Sequence, residues 1–150
     1  MPAYFLDASA LVKRYAPEPG TTFVRALARP PGRILISPLS GAEVASGLFR
    51  KERMSEIDPQ TRRRALWRFR SDFRTGYVLS MITRQTVERA MDLLRRHPLR
   101  GADAVQLSCA LQVLAPRSVL RPLVFVSADL RLLQAPRAEG LPTANPLDHP

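Results

Sequence analysis

The chain has little cysteine, histidine or lysine. Of its 150 residues one is cysteine, Cys109, and two are histidine, His97 and His149. A lone thiol excludes an internal disulfide, and so few soft ligands, so far apart, exclude a zinc cluster. Lys13 and Lys51 are the only lysines, and neither lies in a G-x-x-x-x-G-K-[ST] loop, so there is no P-loop for a nucleotide. No G-x-S-x-G turn is present, which removes one route to a nucleophilic serine. No apolar run approaches the ~18 residues needed to span a membrane. The N-terminus has no basic region and its short apolar stretch is broken by Asp7, a poor signal peptide. These absences place the expected protein in the cytoplasm, with no membrane partner.

What is present is arginine. Lysine and arginine total 23 against 13 acids, a net charge of +10. That excess fits a polyanionic partner, nucleic acid or an acidic protein, and it equally fits the composition of a GC-rich genome. Hydrophobic residues make up 45% and charged residues 24%, the balance of a folded domain, and the length predicts one domain over 1–150. The fourteen prolines gather in short junctions such as PEPG and RPPG, where they punctuate loops.

Short apolar runs alternate with longer helical patterns. The runs AYFLD (3–7), RILIS (33–37), YVLSMI (77–82), PLVFVS (122–127) and, more weakly, LPTAN (141–145) read as strands. SALVKRYA, TFVRALA, GAEVASGLFRKERM, the stretch 58–76, TRQTVERAMDLLRRH, the apolar segment 101–115 and DLRLLQA read as helices. Alternation of this kind predicts a parallel sheet between two helical layers, with its binding crevice beyond the carboxyl ends of the strands.

Acids follow those strand ends. Asp7 ends the first run, Asp129 lies just past PLVFVS, and Glu43 sits near the start of the helix after RILIS. Asp103 lies in the first turn of the apolar helix and joins them only if that helix begins at the same edge. Singly, the aspartates also read as helix caps and Glu43 as a solvated helix residue. Together they would repel. Four carboxylates ~6 Å apart at an effective dielectric of ~20 repel by roughly 17 kcal/mol, which rivals the stability of a whole domain. Such a cluster needs protonation or a cation, and an all-oxygen ligand set favours magnesium or manganese. A carboxylate-held metal on a basic protein suggests phosphodiester hydrolysis. A magnesium phosphatase is a further reading, but its usual second aspartate is replaced by Ser9 and no late strand-end lysine exists.

The segments YFLDASALVKRYAPEPG, GAEVASGLFR, LRGADAVQLSCAL, VFVSADLRLL and GLPTANP, in this order, resemble the PIN-domain family, and most closely its VapC-like toxins of type II toxin–antitoxin pairs. The resemblance implies a PIN-like three-layer α/β/α fold with a central parallel sheet of four to five strands. It implies a metal-dependent endoribonuclease in which Asp7, Glu43, Asp103 and Asp129 form the catalytic, metal-binding quartet. It also implies a homodimer, an RNA substrate and a cognate antitoxin protein. Ser9 matches a small hydroxyl residue that orients the first aspartate. Ser127 stands beside the fourth acid, where ordinary strand-end hydrogen bonding is an equal role. Arg50, two turns after Glu43, is a candidate RNA contact or a surface ion pair. The arginine-rich stretch 58–76 is longer than the family pattern. It reads as an amphipathic helix burying Leu66, Phe69 and Phe73, with RNA binding or a partner-helix groove as alternatives. A non-catalytic basic RNA- or protein-binding module remains the reading that needs the charge but not the acids.

Overall fold

The computed structural model describes residues 2–29, 33–114 and 122–150. Residues 30–32 of the RPPG junction and Ala115, the last residue of the expected apolar helix, lie outside these. Five strands, β1 (Ala3–Leu6), β2 (Ile34–Ile36), β3 (Val78–Leu79), β4 (Leu123–Val126) and β5 (Thr143–Ala144), form one sheet in the order β3-β2-β1-β4-β5. All neighbouring pairs are parallel.

Parallel strands covered on both faces are apolar on both faces. Along β1, Leu6 joins one core together with Ile34, Ile36 and Val126, while Ala3 and Phe5 join the other with Leu35, Leu123 and Phe125. This period-two division, set by the pleat, makes the three layers. In register across β1 and β4, Phe5 and Phe125 stack with centroids 5.5 Å apart.

The first core is closed by α1 (Ala8–Leu11), a short 3₁₀ turn (Val12–Arg14), α2 (Thr21–Leu27), α3 (Leu39–Arg53) and α4 (Pro59–Thr75). The second is closed by α5 (Arg84–Arg96), α6 (Gly101–Gln112) and α7 (Leu130–Ala138). Gly20 opens α2 with φ +91°, and a Cβ there would meet Pro146 at 2.8 Å, so the position requires glycine. The expected helix at 9–16 tightens into its 3₁₀ turn before PEPG, and DLRLLQA continues past its expected end to Ala138. The six-residue run at 77–82 yields a two-residue edge strand. Tyr77 is buried in the first core, Ser80 donates to the Cys109 carbonyl at 2.7 Å, and Thr83 already caps α5.

α4 follows its sequence signals closely. Asp58 caps it, accepting from the Thr61 amide at 2.6 Å, and Pro59 occupies the first turn where no amide donor is needed. It packs antiparallel on α3: Arg62 bonds Glu52 at 2.7 Å near one end, and Phe73 lies against Gly41 near the other. Ala65 and Phe69 are buried and Leu66 and Phe73 partly so.

Each strand hands over to a buried polar residue at its carboxyl end: Asp7, Ser37, Ser80, Ser127 and Asn145. Because all five strands are parallel, these residues share one edge of the sheet.

Candidate active site

Asp7 stands at the centre of that edge, between the ends of β1 and β4. Its amide donates to the Val126 carbonyl at 3.1 Å, which fixes the backbone as an extension of the ladder. Its carboxylate caps α1 and accepts on both oxygens. Oδ1 accepts from Ser9 Oγ at 2.7 Å and from the Ala10 amide at 3.0 Å, and Oδ2 accepts from Ser127 Oγ at 2.7 Å. The serine lone pairs are used in turn, since Ser9 Oγ accepts the Ala128 amide and Ser127 Oγ the Asp129 amide, both at 3.0 Å. One hydroxyl therefore ties the first acid to the backbone of the fourth. Ser9 and Ser127 thus both orient Asp7, and the strand-end bonding expected of Ser127 is part of the same arrangement.

Burial pushes the Asp7 carboxyl up to about 6, against the lowering effect of Ser127, Ser9 and the Ala10 amide, and the Asp103 charge adds to the rise. Glu43 lies on the second turn of α3. Burial raises it, Gln106 Nε2 donating to Oε1 at 2.7 Å lowers it, and Asp103 raises it again. Asp103, in the first turn of α6, is raised by burial and by Asp129, with Arg100 opposing. Asp129 caps α7, Oδ1 accepting from the amides of Arg131 at 2.9 Å and Leu132 at 3.3 Å.

The charge of Asp103 reaches both Asp7 and Glu43, and that of Asp129 reaches Asp103. α6 therefore does begin at the carboxyl edge, the condition the sequence left open. Asp103 and Asp129 also share a small hollow of about 170 Å³ with Arg100 and Arg131. A second cleft of about 520 Å³ is lined by Ser9, Glu43, Arg50 and Arg100. Arg50 is exposed and has no ion-pair partner among the described residues, which removes the surface-pair reading.

As to a metal, the donors are all carboxylate oxygens, and the charge of Asp103 raises Asp7 and Glu43 while that of Asp129 raises Asp103, a field that a hard divalent cation relieves. The donor set fits magnesium or manganese. Among the described residues no three acid, histidine or cysteine side chains stand together as a ready ligand group. Glu43 spends one oxygen on Gln106, and Asp129 spends one on the amides of α7.

Sequence reading missed Gln106, Arg100 and Glu18. Gln106 is buried in α6, one turn after Asp103, and bridges Glu43 and Ser40. The signal was an amide at i+3 from an acid in a largely apolar helix. Glu18, in the PEPG junction, is gripped by both lysines of the chain, Lys13 at 2.9 Å and Lys51 at 2.6 Å.

A five-stranded parallel sheet between helical layers, with Asp7 and Asp129 following two of its strands, defines a three-layer α/β/α domain with acids at its carboxyl edge. The chain matches the PIN-domain family over residues 4–137 and belongs to that family. It is 34% identical over 140 residues, 93% of each chain, to Ribonuclease VapC45 and to Ribonuclease VapC49, from two strains of Mycobacterium tuberculosis. Among solved structures, a toxin–antitoxin complex from Klebsiella pneumoniae superposes with a TM-score of 0.63 at 19% identity, covering 96% of this chain and 98% of that one. PAE2754 from Pyrobaculum aerophilum gives 0.67 at 18% identity, over 99% and 85%. These two share the fold with this chain.

Proposed function

We propose that this chain is a metal-dependent endoribonuclease of the VapC kind, the toxin of a toxin–antitoxin pair, with Asp7, Glu43, Asp103 and Asp129 holding one or more magnesium or manganese ions. The observation that carries the reading is the buried Asp7, held by Ser9 and Ser127 at the carboxyl edge of the sheet, with Asp103 close enough for its charge to act on both Asp7 and Glu43 and to feel Asp129. The ribonuclease names of its 34%-identical relatives support the substrate class.

When bound, the ion supplies acidified water and charge neutralisation at the phosphate. The chain's own groups do the rest. Ser9 and Ser127 hold both oxygens of Asp7 in a fixed orientation, so no rotamer freedom is lost on loading. Gln106 holds Glu43 from behind in the same way. Arg50 and Arg100, which line the same cleft as Ser9 and Glu43, attract and seat RNA phosphates.

In this reading the protein works in the cytoplasm, and an antitoxin covers the acidic cleft. A second copy packs on the face where Val87, Met91 and Leu94 form an exposed apolar stripe along α5, continued by Met81 and Ile82. No helix among the described residues is long and apolar enough to cross a membrane.

The test is a labelled mixed RNA pool incubated with manganese. The wild type cuts it, and EDTA or Asp7→Asn abolishes cutting while circular dichroism stays native. Undiminished cutting by Asp7→Asn removes the assignment. RNA binding without any cutting, indifferent to EDTA, favours the basic-module reading instead.

A further inference from the structure

The outward face of α4 takes no part in either core. Its inward face is committed to Phe69, Phe73 and the contacts with α3, but Trp67 is 73% exposed and shares a shallow groove of about 450 Å³ with Arg63, Arg64 and Arg68. Among the described residues no ring or guanidinium stacks on the Trp67 indole, whereas Arg62 does lie 4.6 Å over Phe49 on the inner side. Arg63, Arg68, Arg70 and Arg74 have no ion-pair partners among the described residues, and Arg64 is near the capping Asp58. The helix thus presents one bare aromatic plane inside a field of uncompensated positive charge.

We infer that this face is an accessory binding platform for single-stranded RNA, with a base stacked on Trp67 and flanking phosphates on Arg63, Arg64 and Arg68. This deepens the ribonuclease reading and rests on it for the substrate class. The chemistry discriminates between occupants. A partner helix needs an apolar stripe three and four residues apart. Around Trp67 those positions are Arg63, Arg64, Ser71 and Arg70, so a hydrophobic groove is not formed. A lone exposed indole among guanidiniums is the arrangement that binds strands without sequence preference. α4 packs on α3, the helix that carries Glu43 and Arg50, so the platform belongs to the same helical layer as the cleft.

Trp67 is the only tryptophan, so its fluorescence reports on this face alone. The experiment titrates the full-length Asp7→Asn protein, in EDTA, with a 12-nucleotide oligoadenylate, with poly-glutamate, and with itself by concentration. Saturable quenching by the RNA, reversed by salt, is the expected result. By anisotropy of labelled RNA, Trp67→Ala weakens binding about 5- to 150-fold and Trp67→Phe much less, on the scale of a lost base stack. RNA that binds without altering Trp67 emission lies elsewhere and overturns the inference. Equal quenching by poly-glutamate assigns the face to acidic protein segments, and a concentration-dependent shift without RNA assigns it to a second copy; either overturns it. A failure of the nuclease reading is distinguishable, since it shows in manganese-dependent cutting and not in this titration.

Discussion

Glu18→Gln tests the ionic anchor beside the cleft. Glu18 receives Lys13 Nζ at 2.9 Å and Lys51 Nζ at 2.6 Å, and the Lys13 side chain is only 7% exposed. The two lysines come from the turn after α1 and from the end of α3, so one carboxylate joins three segments. Burial alone pushes the Glu18 carboxyl up, and the bonds to Lys51 and Lys13 more than reverse this, holding it below its ordinary range. Removing the anion leaves Lys13 as a buried, uncompensated cation, which costs about 3–5 kcal/mol when burial is complete. Lys51 keeps Glu56 at 3.2 Å and is more exposed, so about 2–4 kcal/mol is the net expectation. For a domain of this size that lowers Tm by roughly 4–16 °C. The sign with pH follows from the lowered pKa. The contribution is fully present above pH ~4.5 and fades as pH falls through the folded value. Chemical denaturation at pH 7 and at steps below pH ~4.5 measures both: the variant is weaker at pH 7, and the gap narrows as pH falls. A loss under ~0.5 kcal/mol at pH 7, or a gap that does not narrow in acid, refutes the reasoning.

In the metal-free protein, Asp7→Asn stabilises at pH 8 and not at pH 4. The wild-type carboxyl, raised to about 6, binds a proton more tightly folded than unfolded, so stability falls as pH rises through 4–6, by at most about 3 kcal/mol; parallel urea curves for the two proteins across this range contradict it. Gln106→Leu frees Glu43 and lowers manganese affinity about 10- to 100-fold with the fold retained, read by calorimetry. Arg50→Ala raises KM for RNA and reduces the slope of log affinity against log salt by about one; an unchanged slope removes Arg50 from the phosphate contacts.

The sequence was most informative where the chemistry is local. The strand runs at 3–7 and 122–127 and the helix from Asp58 were visible because apolar periodicity, a capping acid and a proline coincide within a few residues. The run at 77–82 was read too long and the one at 141–145 only weakly, for one physical reason. β3 and β5 are edges of two residues each, too short to carry a period, and their register comes from β2 and β4. The placement of Asp7 and Asp129 was legible because a parallel sheet sends every strand end to one side. That of Asp103 was not, since the direction of α6 depends on packing against α5 and the sheet. Gln106 and Glu18 were missed because their partners are remote in the chain: Glu43 is 63 residues from Gln106, and Lys51 is 33 from Glu18. Neither pair leaves a mark in local composition. For the stretch 58–76 the amphipathic reading of the buried face was right, and the arginines are solvated as expected. Trp67, left off the buried face in that reading, is exposed.

The central claim is that the four carboxylates form one hard-cation site. Manganese binding to the full-length protein, followed by electron paramagnetic resonance of the free ion at neutral pH, tests it most directly. The account predicts saturable binding by the wild type, weakened severely by Asp7→Asn and at least tenfold by Asp129→Asn, Asp103→Asn or Glu43→Gln. Wild-type affinity in the Asp7→Asn and Asp129→Asn proteins, or no binding by the wild type at millimolar manganese, contradicts it.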